Sequence, residues 1–236
     1  PVAGFELIKN KSRNSFSISM NLNQVLSRKA QFSIFADLIL QTGLLSNAMH
    51  RIYFRDIDNY YVGNPGSIDI YTSPSNTDVF QLADDIERLP DTRFKLPLGM
   101  RFHYYVNEVL TLRTYYRYYL DDWGIQAHTA SLEIPVKISP KFTVFPSYRY
   151  YTQTEADYFA PYNHHLSTQR YYTSDYDLSE FEANQFGLGI SYLDVMENLQ
   201  VWKFGLKKID LRYHYYERNS GLTANILAIA FTFIQN

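Results

Sequence analysis

The chain has 236 residues, 17% of them aromatic, a formal charge of -2 and no cysteine. No apolar run approaches the ~20 residues of a membrane helix, so a helical membrane protein is excluded. Near-neutral charge without a long basic run gives no electrostatic reason for a nucleic-acid partner, and the lack of cysteine removes disulfide frameworks and thiolate metal sites.

What the sequence does carry is period-two alternation, sustained over long stretches. From Ser15 to Val25, Phe16, Ile18, Met20 and Leu22 alternate with Ser and Asn. After a tight turn at Leu26 to Lys29, Phe32, Ile34, Ala36, Leu38 and Leu40 oppose Gln31, Ser33, Asp37 and Gln41. A stretch rich in Asn, Asp, Ser, Gly and Pro, carrying Gly63, Pro65, Gly66 and Pro74, runs from about Gly43 to Pro90 and reads as a loop, 43–92 with its flanks. Phe94, Leu96, Leu98, Met100, Phe102 and Tyr104 then form the clearest apolar row, opposite Arg93, Lys95, Arg101 and His103. A turn at Asn107 and Glu108 leads to a strand setting Leu110, Leu112, Tyr116 and Tyr118 against Arg113, Tyr115, Arg117 and Tyr119.

The next strand places Leu132, Ile134, Val136 and Ile138 opposite Glu133 and Lys137, and turns at Ser139 and Pro140 into Phe142, Val144, Tyr148 and Tyr150. A second polar loop, 155–182, precedes Phe186, Leu188, Ile190 and Tyr192, whose alternate positions are small. Ile209, Leu211, Tyr213 and Tyr215, then Leu227, Ile229, Phe231 and Phe233, complete about nine strands, with a turn at Asn219 to Gly221.

Short turns near Arg28, Asn107 and Pro140 alternate with longer links near Asp69, Asp122 and Asn163, with a compact link near Asn219 and a medium one from Asp194 to Gly205. Outer-membrane barrels have short periplasmic turns and long outer loops. The expectation is therefore a single all-β domain over 1–236, an antiparallel up-and-down transmembrane β-barrel with 43–92 and 155–182 as extracellular loops. Because such chains start inside and carry an even strand number, an odd set of strands is expected upstream, for a barrel of about 12 to 16 strands. The competing fold is a soluble up-and-down barrel or sandwich with the apolar parity in its core. Strand length and the tyrosines at strand ends (Tyr116, Tyr118, Tyr148, Tyr150, Tyr213 and Tyr215) favour the membrane barrel, where they resemble an aromatic girdle.

With the apolar parity in lipid, the lumen holds Arg93, Lys95, Arg101, His103, Arg113, Arg117, Lys137, Arg149, Arg212 and His214 against Asp37, Glu133 and Asp210. That net basic lining suits an anion-attracting pore. It equally suits a plugged interior in which Arg stacks on Tyr115, Tyr119, Tyr151 and Tyr216, the reading the shared face favours.

RYYLDDWGI at Arg117 to Ile125, YRYYTQTEADYF at Tyr148 to Phe159, and QVLSRKAQFSIFADLILQTGLLS at Gln24 to Ser46 together resemble the domain of unknown function 3570 family of Gram-negative bacteria. The resemblance extends over most of the chain. It implies a longer outer-membrane β-barrel, with Asp121, Asp122, Trp123, Gln153, Glu155 and Asp157 as motif positions and no assigned biochemical role.

Asp121 and Asp122, with Glu155 and Asp157 at a nearby strand end, are the acids placed to bind Ca²⁺, which takes six to eight oxygens. The preferred alternative is a solvated rim whose acids pair with Arg or cap a turn. His164 and His165 are candidate metal ligands, but adjacent histidines in an exposed loop are more often only that. His103 and His214 lack a nucleophile motif such as Gly-x-Ser-x-Gly, so no catalysis and no cofactor are expected. The leading functional expectation is a non-enzymatic outer-membrane barrel in contact with lipid, serving as subunit or docking scaffold for other envelope proteins through Tyr-rich loops. An anion-attracting channel or transporter comes second, and a surface hydrolase third.

Overall fold

In the computed structural model, residues 12–58, 61–64, 79–194, 200–201 and 204–235 are described. Pro65, Gly66, Pro74, Asp69 and most of the link from Asp194 to Gly205 lie outside them. Nine long strands form one antiparallel sheet: β1 (Arg13–Val25), β2 (Ala30–Gly43), β3 (Thr92–Tyr105), β4 (Thr111–Asp121), β5 (Gln126–Glu133), β6 (Phe142–Gln153), β7 (Phe181–Leu193), β8 (Phe204–Arg218) and β9 (Thr223–Gln235). Each pairs with its neighbour in the chain, a simple meander. Among the described residues β1 and β9 do not pair with each other, so the sheet is open.

The hairpin turns repeat one device. Ser27 Oγ accepts the Lys29 N–H at 3.1 Å, Asn107 Oδ1 accepts those of Val109 and Leu110 at 2.9 Å, and Ser139 Oγ accepts those of Lys141 and Phe142 at 3.3 and 3.1 Å. A short polar side chain thus satisfies the amides that the reversal leaves without ladder partners. At the opposite end, Gly221 takes φ +90° in the β8–β9 turn and Gly124 φ +89° in the β4–β5 corner, a left-handed backbone that glycine adopts without steric cost.

Those turns hold a register that keeps one parity on one face throughout the sheet. Directly opposed pairs include Ile18 with Leu38, Ile34 with Met100, Leu98 with Tyr118, Tyr148 with Phe186, Leu188 with Tyr213 and Leu211 with Ile229. The other face pairs Gln41 with Arg93, His103 with Arg113, Arg113 with Glu133, and Ser191 with Asp210. A one-residue slip at any junction would exchange the two sets.

Burial along the strands is inside out. On β7 the apolar parity is open, Phe186 at 51% and Leu188 at 58%, whereas Ala183 and Ser191 on the other face are buried at 2% and 5%. On β5, Ala127 and Thr129 are buried while His128, Ala130 and Leu132 are exposed. The apolar rows therefore do not meet in a dry core, as a soluble barrel requires. In β3 the row from Phe94 to Tyr104 advances ten residues, about 33 Å at ~3.3 Å per residue, or roughly 25 Å tall at a ~40° tilt. That matches the apolar band of an outer-membrane barrel.

Tyrosines extend this face from mid-strand, Tyr116 opposite Met100 and Tyr213 opposite Leu188, with their hydroxyls reaching toward the strand ends. Tyr116 hydrogen-bonds His128 Nδ1 at 2.7 Å, and Tyr118, Tyr148 and Tyr213 donate to Gln126, Asn184 and Asn225 at 3.0, 2.7 and 2.6 Å. Ring bodies continue the apolar rows while hydroxyls pair with polar groups near the strand ends, the amphipathic arrangement of an interfacial girdle.

Two local expectations need correction. The fifth strand does not run unbroken through Ile138: it ends at Glu133, and Val136–Lys137 pairs separately with β6, because Pro135 has no N–H to give the ladder. The long loops are not merely irregular either. Arg51–Ile52 pairs with Asp85–Ile86, and Tyr61–Gly63 with Val79–Gln81.

Leu188, at the middle of β7, offers a direct check. Leu188→Arg should lower unfolding free energy by about 2–4 kcal/mol in urea titrations of the protein folded into phospholipid vesicles; unchanged stability would contradict a lipid-facing row.

Candidate functional site: the polar face and the loop cap

Every residue expected to line a lumen shares the polar face, where most charges are engaged. Glu133 on β5 accepts from Arg113 on β4 at 2.9 Å and from Arg212 on β8 at 2.7 Å. The second bond spans three inter-strand steps, about 14 Å along a flat sheet. Arg212 makes the crossing by lying over Gly189, where a Cβ would meet its Cγ at 3.2 Å, and across the Phe145 ring, 4.8 Å from the centroid. The small residues of β7 are a floor for this side chain.

Ring stacking holds other cations. Arg101 lies 4.9 Å from the Phe35 ring and 5.5 Å from that of Tyr115, and Gly99 makes room for Phe35. Arg218 stacks on Phe181 at 3.8 Å and bonds Asp177 at 3.0 Å. Among the described residues the rings used on this face are Phe35, Phe145 and Phe181, with Tyr115 alone of the four tyrosines expected, and Trp123 beneath Arg93.

Asp210 pairs with Lys208 Nζ at 2.7 Å. Lys95 opposes Asp121 across β3 and β4, His103 opposes Arg113, and exposed Lys137 opposes Thr143. Arg149 lines two recesses, one of about 210 Å³ with Tyr151, Phe181 and Tyr216, and one of about 180 Å³ with Glu133, Ser147 and His214. Arg117 Nε and His214 Nδ1 are buried without a hydrogen-bond partner among the described residues.

The motif acids are a structural corner and do not converge on a Ca²⁺ site. Asp121 Oδ1 accepts the Trp123 and Ile125 N–H groups, both at 3.0 Å, while Oδ2 accepts from Tyr119 at 2.8 Å and from the Arg93 guanidinium. Its oxygens are already occupied. Asp122 accepts the Phe94 N–H at 2.9 Å, Asp157 fills the space in front of Gly124, and Glu155 is exposed. Trp123 is buried under Arg93, 4.3 Å away, donates to Thr92 O at 3.0 Å and meets the edge of Tyr158. Gln153 donates to the Asp177 and Ser179 carbonyls at 3.0 and 2.6 Å, tethering the start of the β6–β7 loop to its end.

Beyond this corner the β2–β3 and β6–β7 loops fold on one another as a cap. Its core is Ile52, Phe54 and Tyr172, with Phe54 and Tyr172 edge to face at 5.1 Å. Backbone bridges join Phe54 to His165 and Arg88 to Tyr172. Burial pushes the Tyr172 phenol above its ordinary range, so it stays protonated and donates to Asp85. The Ser167 N–H, 2.9 Å from Asp56, holds that carboxyl below its usual range. His165 is not an exposed loop histidine: it is 1% exposed, with Nδ1 2.9 Å from Gln169 Oε1 and Nε2 2.9 Å from Thr173 O. No ring nitrogen remains for a metal. His164 beside it is exposed. Among the described residues, one set of three ligand-type side chains does converge in the cap, His50, Glu87 and Asp175. Sequence reading passed over it because its members sit far apart in segments taken as irregular loop.

A meander sheet with inverted burial, short turns at one end and a folded cap at the other defines the class of outer-membrane-type β-barrel walls. The chain belongs to the family described as protein of unknown function, DUF3570, which matches residues 2–227. No curated protein matches the sequence. Among solved structures it is similar to in-vitro folded OmpT, an outer membrane protein of Vibrio cholerae, at 10% identity and TM-score 0.44, over 94% of this chain and 52% of that one. It is also similar to BauA, the ferric preacinetobactin receptor of Acinetobacter baumannii, at 13% identity and TM-score 0.41, over 95% of this chain and 37% of that one. The chain thus spans about half the length of OmpT and less of BauA.

The Asp121 carboxylate is fully buried and Arg93 13% exposed, whereas the Glu133 partners are a third or more open. Asp121→Asn keeps the turn acceptor but strands Arg93, and should cost about 3–5 kcal/mol in chemical unfolding. Glu133→Gln should stay within about 1 kcal/mol. The reverse order would contradict the corner role.

Proposed function

We propose that this chain forms the wall of a bacterial outer-membrane barrel, in contact with lipid, and serves without enzymatic activity as a scaffold whose cap docks other envelope proteins. The observation that carries the reading is the combination of exposed apolar rows with outer loops that have a buried core of their own. A preformed loop surface loses less conformational entropy on binding than a floppy one. Tyrosines on it, such as exposed Tyr162 and Tyr176, are of the type enriched in interfaces. Solubilisation in mild detergent should co-purify envelope proteins in fixed ratio with the wild type. Ile52→Asp, which puts a charge into the cap core, should lose them while the barrel keeps its heat-modifiable migration. Identical recovery with both proteins, or a lone monomer in every detergent and salt, would rule this reading out.

A second reading, an anion-attracting channel, draws support from the cationic excess on the polar face and the recesses beside Arg149. The engagement of Arg93, Arg101, Arg113 and Arg212 by rings and carboxylates supports a packed interior instead. Planar-bilayer recording of the full-length barrel separates the two: the packed interior predicts no conductance, and anion-selective current would favour the channel.

A further inference from the structure

The cap brings together three side chains whose chemistry goes beyond packing. Asn47 to His50 forms a turn just after β2, Glu87 follows the short strand Asp85–Ile86, and Asp175 precedes a 3₁₀ turn at Tyr176–Leu178. His50 Nδ1 lies 3.2 Å from Glu87 Oε2 and 3.7 Å from Asp175 Oδ2, and one ligand atom from each residue lies within 4.8 Å of the other two. Metal–ligand bonds of ~2.0–2.2 Å set neighbouring ligand atoms roughly 3–4 Å apart, the spacing of His50 from each of the two carboxylates.

The carboxylates are oriented in advance. Glu87 is 4% exposed, with Oε1 fixed by the Asn47 N–H at 2.6 Å and Oε2 by the Thr173 hydroxyl. Asp175 Oδ1 accepts the Asp177 N–H at 2.9 Å, turning Oδ2 toward His50. The His50 and Asp175 side chains remain 33% and 29% exposed, so an ion has a way in. We propose that His50 Nδ1, Glu87 Oε2 and Asp175 Oδ2 form a site for a divalent transition ion of the Zn²⁺ class that clamps the β2–β3 loop to the β6–β7 loop. One imidazole and two carboxylates suit such an ion, whereas Ca²⁺ calls for six or more oxygens. Three protein ligands leave a position for water. The clamp is independent of the membrane and scaffold reading.

Asn47 tunes this site. Its Oδ1 accepts the Met49 N–H at 3.0 Å, which leaves Nδ2 facing His50 Nε2 at 3.2 Å. An amide donor there favours a proton on Nδ1, where the metal must bind. Metal ligation through Nδ1 places the proton on Nε2, which then needs an acceptor. Asn47→Asp supplies one while keeping the bond to Met49.

The test uses the full-length, tag-free protein in detergent, stripped with chelator and titrated calorimetrically with ZnCl₂, then with CaCl₂. One Zn²⁺ per chain is expected, with little Ca²⁺ binding. His50→Ala should abolish binding, Asp175→Asn should weaken it at least tenfold, and Asn47→Asp should tighten it about tenfold, the scale of outer-shell effects on metal affinity. Zn²⁺ should also slow protease cleavage of the cap in the wild type and not in His50→Ala, with far-UV circular dichroism confirming that both are folded. Absence of Zn²⁺ binding, equal binding by His50→Ala, or protection that survives His50→Ala overturns the proposal.

Discussion

Everything in this molecule depends on a parity kept in step across eight strand junctions. A sheet face has no memory of its own: a single-residue slip between β3 and β4 would set Arg117 opposite Leu98 or Met100, and Arg101 opposite Thr114 or Tyr116. The register is held at one end by Ser27, Asn107 and Ser139, whose side chains fix where each reversal happens, and at the other by the Gly124 and Gly221 turns. Regular backbone pairing then leaves one face predominantly apolar and open, with its polar groups partnering tyrosine hydroxyls. The burial of small and polar residues opposite it is a consequence of the same register.

On the polar face the governing cost is that of charges drawn out of bulk water, and the structure answers it in graded ways. Where enclosure is most complete, at Asp121, the carboxylate receives four separate donors and its arginine also covers an indole. Where the face is more open, Glu133 shares two half-exposed arginines. Between these extremes, guanidinium groups rest on phenyl rings, contacts that neutralise no charge yet give the flat cation a flat partner. Glycines at 99 and 189 are part of this arrangement, since each leaves room for a side chain arriving from a neighbouring strand.

How much of this was legible in the sequence follows from the range of each interaction. The strands were readable because alternation is local, and the turns because Ser, Asn and Gly act within two or three residues of themselves. Phe35 and Ile39 were passed over on the polar parity of β2, because an apolar residue among Ser33, Asp37 and Gln41 reads as noise until Gly99 and Arg101 stand beside it. The fifth strand was drawn through Pro135 because Ile134, Val136 and Ile138 preserve the pattern even where the ladder cannot. The cap was illegible for a different reason. Its core joins Ile52 to Tyr172, and its His50, Glu87 and Asp175 cluster draws on three segments with no periodicity; only the folded chain places them together.

The corner at Asp121 to Ile125 links these two levels. Trp123 closes over Arg93 on one side, receives Tyr158 from the cap on another, and its carbonyl accepts the Asp157 N–H at 2.8 Å. A local turn, set by Asp121 and by a glycine in the left-handed region, is therefore the point where the sheet's polar face hands over to the loops. Gln153 does the same for the next strand by holding both ends of the β6–β7 loop at the top of β6. Most of the residues grouped by sequence resemblance, Asp121, Asp122, Trp123, Gln153 and Asp157, thus share one physical role. They stop strands at a fixed height and attach the cap there, so the geometry of the cap surface is inherited from the register of the sheet beneath it.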